Sequence, residues 1–353
     1  MSNIIFNQAQ IQQICQLIGQ MLSLSETQTS DCLTQTAQNL QFCFPFVCEQ
    51  DFPVILDGID ELGLDASKVI LSCEIAAKKT KVNRLNKIKN IIAIASGKGG
   101  VGKSTTAVNL AFALQAQGAK VGILDADIYG PSVPIMLGNP NAKPQSEDNK
   151  HMIPLSCQGV VANSIGYLVP NEDAAVWRGP MASKALQQIL NETLWPELDY
   201  LIVDMPPGTG DIQLTMAQMV PLTAAVVVTT PQDIALADAT KGIAMFNKVN
   251  IPVLGVVENM SYFQCRKCGN KEFVFASGGG QTLAKEQSLE LLAQLPLDIQ
   301  IREHADQGTP LIIAQPDSEL AQGYLHAAKK MSQQLAYSKT LNTDDSIPIV
   351  EKH

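Results

Sequence analysis

The sequence lacks several features that would assign it at once to a common class of protein. No apolar run approaches the length of a membrane span. The N-terminal stretch "MSNIIFNQAQIQQICQLIGQ" lacks the basic segment and apolar segment of a secretory signal. Basic charge is also scarce, since 25 lysines and arginines face 34 aspartates and glutamates, for a net charge of −9. This balance argues against general nucleic-acid binding, which needs basic patches, so we expect neither a membrane nor a nucleic-acid partner.

Cysteine is present but irregularly spaced, and the chain has only one Cys-x-x-Cys pair, Cys265 and Cys268. Nothing in the sequence directs the chain to an oxidising compartment, so we predict reduced thiols and a cytoplasmic protein. A structural zinc site normally takes four ligands, often from two such pairs, and a second pair is missing. The pair could be a redox dithiol, half of a zinc site completed by distant residues, or half of a site completed by a second copy of the chain.

The chain divides into segments of different character. Residues 1–88 are predicted to form a small N-terminal α+β domain, because "AQIQQICQLIGQML" has helical periodicity and "PVILDGIDELGLDASKVILSCEIA" indicates a helix, a glycine turn and a strand. The stretch Ala77–Asn90 is basic and polar, which is typical of a linker. We assign residues 89–340 to a larger domain and residues 341–353 to a polar tail.

The larger domain contains apolar, β-branched runs that predict strands buried on both faces. These runs are "IIAIAS" (91–96), "KVGILDAD" (120–127), "GVVANSI" (159–165), "YLIVDMP" (200–206), "AAVVVTTP" (224–231) and "PVLGVVEN" (252–259). Helical patterns such as "KSTTAVNLAFALQAQG" separate several of them. Strands that alternate with helices predict an α/β fold with a doubly wound, mostly parallel sheet, and ligands then bind beyond the carboxyl ends of its strands.

A phosphate-binding loop follows the first of these strands. The segment "GKGGVGKS" fits the pattern G-x-x-x-x-G-K-[ST], with an apolar strand before it and an amphipathic helix after it. Its backbone N–H groups and the helix dipole would surround phosphates, Lys103 would contact the β- and γ-phosphate oxygens, and the Ser104 hydroxyl would bind Mg²⁺. The predicted nucleotide-binding residues of the loop are Gly97, Lys98, Gly99, Gly100, Val101, Gly102, Lys103, Ser104 and Thr105.

The loop carries a second lysine, Lys98, directly after its first glycine. In this respect GKGGVGKST resembles the deviant Walker A loop of the SIMIBI ATPases, a group that includes nitrogenase iron protein, septum-site and chromosome-partitioning ATPases, and the Mrp/Nbp35 family. The resemblance implies an ATP sandwich dimer in which Lys98 reaches the nucleotide of the opposite subunit. Such a lysine would add a cation in trans to the developing phosphate charge, as an arginine finger does. A solvated loop lysine is the alternative.

Further polar residues follow the predicted strands. The resemblance gives Asp127 the role of orienting the attacking water and Asp204 the Walker B role of holding Mg²⁺ through water, while Asp125 would help to arrange the metal. Gly208 lies where a backbone N–H could sense the γ-phosphate.

Asn259 matches the asparagine that reads adenine in this group, because an amide both donates to and accepts from a base edge. Helix-capping carboxylates and an ordinary turn asparagine are the alternatives. Lys98, Lys103 and Asp127 are the predicted catalytic residues.

The residues alone leave the role of Cys265 and Cys268 open. Their segment "FQCRKCGN" is too polar for a core, and a thioredoxin-like dithiol would normally precede a helix at the start of a compact fold. The glycine after Cys268 is typical of a zinc knuckle. If the ATPase dimerises about a two-fold axis, each subunit brings two thiolates and symmetry completes a Cys₄ site. Such a site suits either zinc or a [4Fe–4S] cluster.

Residues 91–335 resemble the Mrp/ApbC/Nbp35 family of iron–sulfur cluster carriers. The motifs that carry the resemblance are GKGGVGKST, "DADIYGPSVPIMLG", "WRGPMASKALQQ" (Trp177–Gln188), "DMPPGTGDIQLT", "VVTTPQDIALADATKG" and "GVVENMSYFQCRKCG". The resemblance implies an ATP hydrolase that forms a homodimer with a labile [4Fe–4S] cluster bridged by Cys265 and Cys268 of both subunits. It also implies transfer of that cluster, with ATP binding and hydrolysis, and partners among apoprotein clients and iron–sulfur assembly proteins.

The N-terminal segment departs from the pattern. Many bacterial relatives carry a MIP18-like domain there, but residues 1–88 match it only in size and position and lack its Asp-Pro motif near the start. Cys43 and Cys48 could serve a client- or cluster-handling site, although their apolar surroundings favour buried packing residues.

Two other functions compete with cluster carriage. A positioning ATPase that cycles on a membrane or nucleoid would need a basic amphipathic helix, and the tail "LNTDDSIPIVEKH" is a poor anchor. A zinc-bridged scaffold dimer would use ATP only as a switch.

Overall fold

The structure is a computed structural model that describes residues 6–36, 38–78, 85–128, 130–168 and 179–338. Its helices are α1 (Gln8–Leu22), α2 (Glu26–Asp31), α3 (Phe52–Glu61), α4 (Lys103–Ala116), α5 (Val133–Met136), α6 (Gly179–Glu192), α7 (Asp211–Met219), α8 (Asp233–Lys248), α9 (Gly279–Glu286), α10 (Ile299–Asp306), α11 (Leu311–Ala314) and α12 (Glu319–Tyr337). Its strands are β1 (Leu33–Gln35), β2 (Leu40–Phe44), β3 (Val69–Cys73), β4 (Ile88–Ala95), β5 (Val121–Asp125), β6 (Leu155–Cys157), β7 (Val160–Ser164), β8 (Leu198–Asp204), β9 (Ala224–Thr229), β10 (Val253–Glu258), β11 (Phe263–Gln264), β12 (Lys271–Glu272) and β13 (Glu290–Gln294). The predicted tail at 341–353, part of the linker, and Trp177 with Arg178 lie outside the described residues.

The central sheet has the strand order β13-β10-β9-β4-β8-β5-β7-β6. Its neighbouring strands are parallel except at one edge, where β6 pairs antiparallel with β7. Strand β4 is buried from Asn90 to Ala95 because its alternate side chains pack into separate apolar cores on the two faces of the sheet. The predicted doubly wound, mostly parallel sheet is therefore confirmed.

The structure adds two edge strands that the sequence patterns did not predict, β6 and β13. Strand β6 is only three residues long, and β13 begins with Glu290 and ends with Gln294, so neither forms a long apolar run. The linker interpretation is wrong at its end, because residues 88–90 already belong to β4. Asn90 tolerates burial there because its side-chain amide donates to the Ala76 carbonyl at 3.0 Å.

The N-terminal residues form a three-stranded sheet in the order β1-β2-β3, covered by α1 and α3. The helix, turn and strand predicted from residue 53 onward correspond to α3, a left-handed Gly63 (φ +73°) and β3. This sheet packs against α12 of the larger domain: the Val47 N–H donates to Ser332 Oγ at 3.0 Å, and Lys329 Nζ lies 2.9 Å from Asp51 Oδ1. The two parts are thus joined by named polar contacts as well as by apolar packing.

The predicted burial of Cys43 and Cys48 is correct for Cys48 and wrong for Cys43, which is exposed. The reason lies in the two-residue period of a strand. Phe42 and Phe44 face the apolar core from β2, so Cys43 between them points to the opposite, solvent side.

Among the described residues, no helix is both long and apolar enough to cross a membrane.

Candidate functional site

The phosphate-binding loop lies between β4 and α4, at the carboxyl edge of the sheet. Gly100 and Gly102 both have φ of +81°, which an L side chain rarely adopts. A Cβ on Gly102 would overlap the amide of Asn259, and one on Gly97 would overlap the backbone of Asp238 in α8. The glycines therefore let the loop curve while neighbouring elements press against it from two sides.

Lys103 is buried at the centre of this site and faces two carboxylates. Its Nζ lies 2.5 Å from Asp204 Oδ1 and 3.8 Å from Asp127 Oδ2, and it donates to Ser104 Oγ at 3.1 Å. Burial raises the pKa of Asp204, and the Lys103 ammonium acts in the opposite direction. The structure thus brings Lys103, Ser104, Asp127 and Asp204 together at one point, as their places in the sequence predict.

The donor set at this point suits a hydrated Mg²⁺ ion. Among the described residues, the second carboxylate oxygen of Asp204, Oδ2, is buried and has no hydrogen-bond partner. A buried acceptor without a partner is costly unless a ligand or water satisfies it. The Ser104 hydroxyl is the other nearby oxygen, and Mg²⁺ prefers oxygen ligands with several waters retained. Ser104 and Asp204 are therefore the residues that would hold the metal.

Asp125, at the end of β5, is fully buried beside the same cluster. Its carboxylate accepts from the backbone N–H of Asp127 at 3.1 Å, from that of Val133 at 3.2 Å, and from Ser164 Oγ at 3.0 Å. Burial, and after it the neighbouring Asp204 carboxylate, raises the pKa of Asp125 to about 8. With these contacts Asp125 holds the segment that carries Asp127, so it can arrange the metal site by positioning rather than by ligation.

Two of the predicted nucleotide-sensing groups already have protein partners in this structure. The Gly208 N–H donates to the Ser96 carbonyl at 2.9 Å, so it would have to leave this acceptor to contact a γ-phosphate. Lys98 Nζ donates to Gln232 Oε1 at 3.2 Å and is partly exposed. Two residues after Gln232, the side chain of Ile234 is 73% exposed.

A cavity of about 240 Å³ lies beside the phosphate loop, with Gly102 and Thr105 among the residues that line it. Asn259 lines it and fixes its own position by donating from Nδ2 to the Val101 carbonyl at 2.9 Å. The opposite wall is the segment after β13, from Pro296 to Asp298. An amide, an apolar wall and the adjacent phosphate loop suit the base and sugar of a nucleotide.

The sequence patterns did not predict the Pro296–Asp298 wall. A signal was present, because "LLAQLPLD" is a short apolar run that ends in Pro and Asp, but the polar ends of β13 obscured the strand. In the structure β13 lies beside β10, so its carboxyl end opens at the same edge as Asn259.

Cys265 and Cys268 lie in a small hairpin formed by β11 and β12. The Cys265 N–H donates to the Asn270 carbonyl at 2.9 Å, and Gly269 closes the turn with φ of +72°. Cys265 is partly exposed and Cys268 is exposed. Hydrogen bonds from the backbone N–H of Cys268, and then of Lys267, lower the pKa of the Cys265 thiol, which favours the thiolate that binds metals.

The hairpin offers two thiols and no more. Within the described part of the chain, no group of three or more His, Cys, Asp or Glu side chains is placed to hold a metal ion. Large exposed apolar side chains flank the pair in the sequence, with Phe263 exposed by 39%, Phe273 by 54% and Val274 by 58%. Exposed apolar side chains gathered on one surface mark an interaction site.

One ion pair connects the hairpin with the base cavity. Arg266, between the two cysteines, places Nη2 2.7 Å from Asp298 Oδ1, while Asp298 lines the cavity and caps α10 by accepting from the Gln300 N–H at 2.8 Å. The backbone adds a second connection, because the Leu297 N–H donates to the Tyr262 carbonyl at 2.7 Å.

Comparison with known proteins shows the family of this chain. Residues 87–332 match the ParA family in the form described as NUBPL iron-transfer P-loop NTPase. Proteins named iron-sulfur cluster carrier protein from Salmonella typhimurium and Escherichia coli K12 are each 56% identical over 304 residues, which cover 84% of this chain and 82% of the relative. The iron-sulfur cluster transfer protein NUBPL of Mus musculus is 49% identical over 253 residues, covering 71% of this chain and 79% of that protein.

Solved structures agree on the fold. A nucleotide-binding protein from Archaeoglobus fulgidus, in complex with ADP, is 37% identical with a TM-score of 0.60, covering 68% of this chain and 94% of the other. The cell division ATPase MinD of Pyrococcus furiosus is 23% identical with a TM-score of 0.53, covering 69% and 98%, and shows the fold alone. The predicted resemblance is confirmed for the family, and this chain belongs to the NUBPL-type iron-transfer P-loop NTPases.

Proposed function

We propose that this protein binds iron–sulfur clusters and transfers them to apoproteins, with ATP binding and hydrolysis. The observation that carries the proposal is a solvent-facing hairpin with a pair of thiols, joined by the Arg266–Asp298 ion pair to the cavity beside the phosphate loop. A thiol pair that is accessible suits a cargo that is received and released, whereas closed structural zinc sites surround their metal. The names of the relatives support the same cargo.

The cluster would be held by two copies of the chain. Four thiolates suit a [4Fe–4S] cluster, and a two-fold axis through the hairpins would supply Cys265 and Cys268 twice. The apolar side chains Phe263, Phe273 and Val274 would be covered in such a homodimer. Iron–sulfur assembly proteins that load the cluster and apoprotein clients that receive it are the further partners of this proposal.

The same dimer would complete the site of ATP hydrolysis. A Mg²⁺ ion held there would supply positive charge that helps to neutralise the phosphates. In this chain Lys103 would neutralise the phosphates, Asp127 would orient the attacking water, and Ser104 with Asp204 would hold the metal. Lys98 of each subunit would leave Gln232 and contact the phosphates bound to its partner.

Anaerobic reconstitution of the full chain with iron and sulfide tests the proposal. We expect a brown dimer with about four irons and four sulfides per pair of chains, which passes its cluster to an apoprotein acceptor. A colourless protein that holds zinc tightly and takes up no cluster would overturn the proposal in favour of a zinc-bridged ATP switch. The septum-site ATPase MinD shares only the fold with this chain, so the comparison does not favour a positioning function. The cytoplasmic location stays a prediction.

Replacing Lys98 by alanine is expected to lower ATP hydrolysis at least tenfold while leaving the thermal stability unchanged. The side chain is partly exposed and has only Gln232 as its polar partner within the described residues, so its loss costs little in the folded monomer. Removing a cation that acts only on the developing phosphate charge typically costs a factor of about 10²–10³ in rate. Steady-state hydrolysis and thermal denaturation measure the two effects.

Lys68→Ala is the matched control, because it removes the same charge from an exposed position in the N-terminal part of the chain. Full hydrolytic activity in Lys98→Ala would remove the argument for a lysine acting in trans.

A further inference from the structure

The N-terminal part contains a second pair of thiols, Cys48 and Cys73, which has no role in the proposed function. Cys73 ends β3, Cys48 follows β2, and their sulfur atoms lie 3.5 Å apart. A disulfide bond is about 2.05 Å long, so modest side-chain rotations would bring the two sulfurs into bonding range. Cys43, by contrast, is exposed on the opposite side of β2.

The two thiols differ in accessibility and in acidity. Cys48 is fully buried, whereas Cys73 is partly exposed. The hydrogen bond between them lowers the pKa of Cys73 and, together with burial, raises the pKa of Cys48. An accessible thiol with a lowered pKa next to a second thiol is the usual arrangement of a reactive and a resolving cysteine.

Cys73 opens into a cleft of about 110 Å³ at the junction with the larger domain. Glu49, Glu74 and Asp199 line this cleft, with Lys89 as the cation beside them. A water molecule occupies about 30 Å³ of liquid, so the cleft has room for a molecule of a few atoms. Lys89 pairs with Asp199 at 2.8 Å, which leaves the carboxylates of Glu49 and Glu74 to disfavour anions. A cleft of this volume also favours a small molecule over a peptide disulfide such as oxidised glutathione. A small neutral oxidant fits both conditions.

We propose that Cys73 and Cys48 form a peroxide-reactive dithiol that closes to an intramolecular disulfide. The Cys73 thiolate attacks one oxygen of hydrogen peroxide, the O–O bond breaks, and the leaving hydroxide takes a proton to become water. The resulting sulfenic acid is attacked by the sulfur of Cys48, which loses its proton as the second water leaves. In balance, two thiols and one peroxide give one disulfide and two waters, and the protein loses two electrons.

The position of the pair gives the disulfide a structural effect. Cys48 lies between Val47 and Asp51, which contact Ser332 and Lys329 of α12. A bond to Cys73 would fix this connecting segment to β3, so oxidation is expected to raise the melting temperature of the full chain.

Peroxide treatment of the cluster-free full chain, followed by alkylation of free thiols and tryptic mapping, tests the proposal. The first lysine or arginine of the sequence is Lys68, so Cys48 lies in peptide 1–68 and Cys73 in peptide 69–78. We expect peroxide to join these two peptides and a reductant to release them. The link should persist in Cys43→Ala and disappear in Cys48→Ala, where Cys73 should instead accumulate as sulfenic or sulfinic acid.

Two outcomes would overturn the proposal. The first is alkylation of both Cys48 and Cys73 in the wild-type chain after peroxide has oxidised Cys265 and Cys268. The second is a link that persists in Cys48→Ala, because the partner of Cys73 would then be another cysteine. A wild-type link that forms without any rise in melting temperature would support the dithiol and overturn the expected structural effect. Cys48→Ser, a closer match in volume, repeats the test if Cys48→Ala fails to fold.

Discussion

Replacing Cys265 and Cys268 together by alanine is expected to abolish cluster binding while ATP binding remains. The two thiols are partly exposed or exposed, and the hairpin that carries them is a separate two-stranded sheet with little core to lose. Iron and sulfide analysis after anaerobic reconstitution should show a loss of nearly all bound cluster, and a nucleotide-binding titration should give an unchanged dissociation constant.

Each single variant is expected to be as severe as the double one. A site shared about a two-fold axis loses two of its four ligands when one residue of the chain is replaced. Cys265→Ala and Cys268→Ala should therefore both lose the cluster, whereas Cys43→Ala, which removes an exposed thiol elsewhere, should keep it. A single variant that still holds a full cluster would mean that the two chains do not share the site in the proposed way.

Replacing Lys103 by alanine is expected to reduce ATP hydrolysis by about three orders of magnitude, the scale seen when a key charge-stabilising group is removed. Lys103 is the cation closest to both Asp204 and Asp127, and it is the residue that the motif directs to the β- and γ-phosphates. Cluster loading should be retained, because the hairpin thiols lie outside this ion-pair cluster.

This variant needs a control for loss of stability. Asp204 is fully buried, and removing its ion-pair partner leaves a carboxylate without compensation, which typically destabilises a protein by about 3–5 kcal/mol. Lys103→Met keeps most of the side-chain volume and removes the same charge, so the two variants separate the loss of charge from the loss of packing. If Lys103→Met lost cluster loading as completely as the cysteine variants, the two sites would not be separable.

The sequence predicts the features that depend on local patterns of residues, and it fails for those that depend on how distant segments are arranged. The β-branched runs around β4, β5 and β8 predict their strands because burial on both faces leaves a continuous apolar signature. The phosphate loop is predictable because its function depends on glycines at fixed positions. Cys43 shows the limit, since one residue of strand register decides whether its side chain faces the core or the solvent.

The Pro296–Asp298 wall shows the same limit over a longer distance. It lines the base cavity only because β13 pairs with β10, and the sequence near β13 gives no information about that neighbour. The Arg266–Asp298 pair joins residues 32 positions apart and depends on the same arrangement.

That ion pair has a thermodynamic consequence for any ligand of either site. If a bound nucleotide changes the affinity of the hairpin for its cargo through this pair, the cargo must change the nucleotide affinity by the same factor. The Arg266 side chain is 55% exposed, and pairs of this kind are worth about 0.2–1 kcal/mol. Since tenfold in affinity requires about 1.4 kcal/mol, the pair can adjust cargo affinity by a few fold. A change of nucleotide that acted only through Arg266 would therefore change the affinity for the cargo by a few fold. Such a change is too small to cause complete release by itself.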